Sequence, residues 1–76
     1  MGELYGDLEL LDDMIKALGK HGPMKPKQLA KEVGHSEEAV LEQLTQSYYF
    51  QAARSKGSVG RYELSGRGTE RFEKIT

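Results

Sequence analysis

The chain has 76 residues, with 11 lysines and arginines against 12 acids for a formal net charge of -1, and it is 37% hydrophobic and 30% charged. That describes one folded domain with an economical core, because a chain of about this size buries only about 60% of the surface it exposes unfolded, and it excludes disordered and collagen-like polymers. No apolar run approaches the roughly 20 residues of a bilayer span and no charged-then-apolar leader opens the sequence, so a cytoplasmic protein is expected; without cysteine there is neither a disulfide framework nor a thiolate zinc site.

The small net charge conceals segregation along the chain. Residues 1 to 15 carry only acids, whereas 16 to 31 carry Lys16, Lys20, Lys25, Lys27 and Lys31 and no acid. Glu32, Glu37, Glu38 and Glu42 follow, and the remainder is net basic through Arg54, Lys56, Arg61, Arg67, Arg71 and Lys74. Such blocks suit a local basic face on a nearly neutral protein, and equally suit solvated helix faces.

From about Asp7 to Lys20, Leu8, Leu11, Ile15 and Leu18 recur three and four apart, with Leu4 continuing the row backwards, which predicts a helix ended by Gly19 and Gly22-Pro23. Acids at its start and lysines at its end agree with the helix dipole. A second row, Leu10, Met14 and Ala17, lies on another flank, so this helix either wraps deeply into the core or meets a second copy in a homodimer. Residues 22–25 form an extended connector, since proline removes an amide and biases its predecessor away from helix.

Residues 26 to 49 organise the rest. Pro26 opens a short helix to Val33, with Leu29, Ala30 and Val33 on its apolar side. Gly34 can take the left-handed conformation that ends a helix, and Ser36 offers an oxygen to the bare amides of the next one. Glu37 and Glu38 then sit at its positive end. This second helix is expected from Ser36 to Tyr48, with Val40, Leu44 and Tyr48 inward, and Tyr48, Tyr49 and Phe50 are expected to cap the core, stacking on unpaired bases being the competing use.

Residues 50–54 and 61–64 read as two strands, joined by a loop at 55–60 that has the glycines and serines of a hairpin. Tyr62 and Leu64 share one face, Arg61 and Glu63 the other. Ser65-Gly66-Arg67-Gly68 reads as a turn into a short closing helix from Thr69 to Ile75, with Phe72 and Ile75 on one side.

The fold class that follows is mainly α with a small antiparallel hairpin, as one domain over residues 1–76. LAKEVGHSEEAVLEQL at residues 29–44 and GRYELSGRGTERFEKI at 60–75 resemble the winged helix-turn-helix family, and the likeness covers nearly the whole chain. It implies a three-helix core, a wing and a closing helix in a transcriptional regulator that binds double-stranded DNA, with the helix-turn-helix at 26–48 and the wing at 54–61. By position, Ser36, Glu37, Glu38, Leu41, Glu42 and Thr45 would face the major groove. Here the chain departs from the family pattern, because three glutamates approach a polyanion and His35 replaces the aliphatic residue usual after the glycine. Phosphate contacts are therefore expected from Lys25, Lys27 and Lys31 on the first helix of the motif and from Arg54, Lys56, Ser58 and Arg61 on the wing, with Ser36, Gln43, Thr45 and Gln46 contributing modestly from the second helix.

Catalysis finds little support. His21 and His35 lack partners at metal spacing, the glycines of the hairpin lack the lysine and helix of a phosphate-binding loop, and Asp12 and Asp13 are adjacent and so diverge. Neither enzyme activity, a metal nor a cofactor is expected. The competing function is a winged-helix module whose acidic second helix and Leu41 bind a protein partner instead of DNA.

Overall fold

The computed structural model describes residues 2–54, 57 and 59–76, with the side chains described from Glu9 onward. The order of elements is α1 (Gly2–His21), α2 (Pro26–Val33), α3 (Glu37–Gln46), β1 (Phe50–Ala52), β2 (Tyr62–Leu64) and α4 (Gly66–Ile75). This is a mainly helical chain with a two-stranded antiparallel hairpin, a winged-helix-like arrangement.

Local chemistry sets the α2–α3 unit. Pro26 occupies the first turn of α2, where its missing amide leaves no bond unmade, and the Gln28 side-chain oxygen accepts from the Lys25 N–H at 3.2 Å. At the other end Gly34 takes φ 74°, and its N–H and that of His35 both donate to the Ala30 carbonyl. The Ser36 hydroxyl then accepts from the Ala39 N–H at 3.2 Å and starts α3. With the turn fixed in this way, Leu29, Ala30, Val40 and Leu44 face one another inside.

The core also takes Leu10, Met14, Ile15, Ala17 and Leu18 from α1 and Phe50 from β1; Met14, Ile15, Leu29 and Val40 have no exposed surface. Both apolar rows of α1, from Leu10 onward, thus pack within the chain, with Leu11 half-buried at the margin. The row Leu10, Met14 and Ala17 that raised a homodimer is used for intramolecular packing and is not left for a second copy.

β1 and β2 pair antiparallel in the register Phe50 to Leu64, Gln51 to Glu63 and Ala52 to Tyr62. On the other edge of β2, Met24 and Tyr62 exchange both backbone bonds, at 3.0 and 2.8 Å. The connector between α1 and α2 is therefore a third, one-residue rung, which the sequence pattern does not announce.

Several expectations are corrected. Helix α1 begins near Gly2, earlier than Asp7, and Gly19 lies inside it instead of ending it; the stop is at Gly22, φ 84°. A side chain at position 19 would collide with the Phe72 ring, so this glycine serves the crossing of α1 and α4. Helix α3 ends at Gln46, because Ser47 turns extended and its hydroxyl accepts from the Tyr49 N–H at 3.2 Å. Tyr48 is consequently turned out of the core, with 81% of its surface exposed, while Tyr49 and Phe50 turn in. Finally, Gly66-Arg67-Gly68 is the first turn of α4, capped by Ser65, whose hydroxyl accepts from the Gly68 N–H. A Cβ at Gly68 would fall on the Tyr49 carbonyl oxygen, so the glycine that reads as a turn signal is a contact between helix and backbone. The strands are also shorter than expected, stopping at Ala52 and starting at Tyr62.

Candidate nucleic-acid interface

The first helix of the unit presents Lys27 and Lys31, four residues apart, on the exposed side of α2, with Leu29 and Ala30 buried opposite. Lys25, also exposed, holds the N-cap position. Charges so exposed retain their water and are available to a polyanion.

Arg61 stands immediately before β2 and is half-buried; its carbonyl accepts from the Ala53 N–H at 3.0 Å, which closes the base of the hairpin loop. The Met24–Tyr62 rung draws this corner against the start of α2. As a result Lys31 and Arg61, distant in sequence, border one open recess of about 430 Å³, together with His21, Pro23, Met24, Gln28 and Glu32. Within it His21 Nε2 lies 3.5 Å from a Glu32 carboxylate oxygen. His21 and Gln28 are members of this site that the sequence reading missed. Their only sequence signal is proximity to chain turns, since the pairing that gathers them is non-local.

Arg54 follows β1 and is exposed. Lys56 and Ser58 lie outside the described residues. Gly57 and Gly60 of the same loop are exposed with φ 83° and 79°, backbone that a side chain rarely adopts.

The second helix behaves differently. Glu37, Glu38, Leu41, Glu42, Thr45 and Gln46 are exposed along one side, and α3 contains no lysine or arginine. Its hydroxyls are already engaged: Ser36 caps the helix, and Thr45 Oγ1 donates back to the Leu41 and Glu42 carbonyls at 3.0 and 3.2 Å. Gln43 is half-buried. Of the polar residues expected to contribute from this helix, only Gln46 keeps an exposed amide without a described internal partner. Leu41, 41% exposed, sits among the glutamates.

The structure therefore brings Lys31 and Arg61 to one recess and sets Lys27 on the same helix as Lys31, with Lys25 at its N-cap. The outward side of α3 carries Glu37, Glu38 and Glu42 and no lysine or arginine of its own. Among the described residues, no cluster of three or more His, Asp or Glu is arranged to hold a metal ion, and no helix is long and apolar enough to cross a membrane. Comparison of the chain with protein-family models, with curated proteins and with solved structures finds no match.

Proposed function

We propose that this protein is a winged helix-turn-helix protein that binds double-stranded DNA mainly through its backbone, holding phosphates along the edge shared by α2 and the hairpin. The observation that carries the reading is the meeting of Lys31 and Arg61 at one recess, since a cation from the motif's first helix and one from the wing then face a single polyanion together. Lys25 and Lys27 extend that edge. The glutamates of α3 keep this helix from close insertion, so affinity comes from phosphate neutralisation and sequence preference is weak. Fluorescence titration of random duplex at about 50 and 200 mM salt tests this. Binding that weakens steeply with salt is expected, and no detectable binding at the lower salt overturns the reading.

A second reading is favoured by the α3 surface itself. Leu41 surrounded by Glu37, Glu38 and Glu42 has the form of an apolar anchor inside an acidic rim, which fits a basic protein partner better than a phosphate backbone. Changing Leu41 to Ala would abolish capture of such a partner while leaving duplex binding as it was.

A further inference from the structure

The turn after α3 carries a feature that duplex binding leaves unused. Tyr48 is 81% exposed, yet the backbone around it is held firmly. The Ser65 hydroxyl donates to the Tyr48 carbonyl at 2.5 Å, and the Ser65 N–H donates to the Tyr49 carbonyl at 2.9 Å. The Ser47 hydroxyl accepts from the Tyr49 N–H, and Gly68 packs against the Tyr49 carbonyl. A flat ring thus stands in solvent on an anchored base. The Arg67 guanidinium lies 5.9 Å from its centroid, within cation–π range.

Beside it, Tyr49, Arg67, Glu70, Arg71 and Lys74 line an open recess of about 370 Å³. Three cations there face one acid. Arg71 also reaches Asp12 of α1 at 3.3 Å, whereas Arg67 and Lys74 are exposed.

We propose that Tyr48, Arg67 and Lys74 form a stacking site for single-stranded nucleic acid, with an unpaired base on the Tyr48 ring and neighbouring phosphates on Arg67 and Lys74. Every base has a face to stack, so such a platform is tolerant of sequence, and an anchored tyrosine loses little freedom when it is covered. A duplex keeps its bases stacked inside and cannot cover the ring. An acidic peptide would use the cations but gain little from the tyrosine. The site shares no residue with the α2–hairpin edge and stands whether or not that edge binds duplex.

The chain contains no tryptophan, so Tyr48→Trp introduces a single reporter at the platform. An oligothymidine of about 12 nucleotides, a span that one binding platform covers, is titrated at low salt against the wild type, Tyr48→Ala, Arg67→Ala and Tyr48→Trp. Melting curves check that each variant folds, as expected for exposed side chains. The oligothymidine is expected to bind the wild type, to lose about fivefold to a hundredfold in affinity on Tyr48→Ala, and to quench the emission of Tyr48→Trp. Duplex affinity is expected to be the same for Tyr48→Ala and the wild type. The proposal is overturned if the oligothymidine fails to bind, if Tyr48→Ala binds it as well as the wild type, or if the tryptophan emission does not respond. Quenching by polyglutamate but not by oligothymidine also overturns it and assigns the surface to an acidic peptide.

Discussion

Two glycines at close approaches of α4, one to α1 and one to the turn after α3, separate what a local pattern can say from what packing decides. At Gly68 a methyl group would meet the Tyr49 carbonyl oxygen and come within 3.1 Å of Leu64 Cδ2. Backbone cannot rotate aside, so Gly68→Ala is expected to cost about 1–3 kcal/mol, as overpacking generally does. For a domain of this size that lowers the melting temperature by about 5–20 °C. At Gly19 the obstacle is the half-buried Phe72 ring, met at its Cγ, Cδ1 and Cε1, which must change rotamer to make room where backbone at Gly68 cannot, and alanine returns up to about 1 kcal/mol of helix propensity. Gly19→Ala is therefore expected to melt closer to the wild type than Gly68→Ala does; the opposite order would contradict the packing described. Neither role was legible in sequence, where glycine reads as a stop or a turn. Tyr48 was misread for a related reason: its spacing continues the row of Val40 and Leu44, but one hydroxyl-to-amide bond at Ser47 ends the helix before the row reaches it.

The elements whose ends are set by neighbouring residues were the readable ones. Pro26, Gly34 and Ser36 each act within a few residues, so α2 and its turn agree with expectation to the residue, and α3 starts one residue later than expected, with Ser36 as its cap. The start of α4 depends instead on a contact with the turn after α3, and there the pattern gave a later beginning. Function at α3 follows from the same local bonds. Ser36→Ala should cost about 0.5–2 kcal/mol through loss of the cap, and Thr45→Val should change stability little. Both should leave preference among duplex sequences unaltered, because the glutamates hold α3 away from the bases and each hydroxyl already bonds the helix backbone; a changed preference in a binding-site selection would mean that α3 reads bases after all. The glutamates give the converse check. If α3 lies close to the phosphates, replacing Glu37, Glu38 and Glu42 with glutamine removes repulsion and tightens duplex binding, with the gain shrinking at high salt. If α3 serves a basic protein partner, the same replacements weaken capture of that partner.

For the whole molecule, the net charge of -1 says little about which surface a polyanion would choose, because Glu37, Glu38 and Glu42 occupy the outward side of α3 and five more acids lie in residues 1–15, while Lys31 of α2 and Arg61 at the hairpin base border one recess. That edge could not be read from the sequence, since it depends on the rung between Met24 and Tyr62. Each phosphate contact contributes about 0.9 to the slope of log affinity against log salt on duplex DNA, so cations that act together leave a countable trace. The most direct measurement is this slope for the wild type and for the double variant Lys31→Ala, Arg61→Ala on one random duplex. A slope shallower by about 2 in the variant, with affinity reduced alike for every sequence, is the predicted result. Identical slopes would mean that neither side chain neutralises a phosphate of the duplex, and would contradict the central claim.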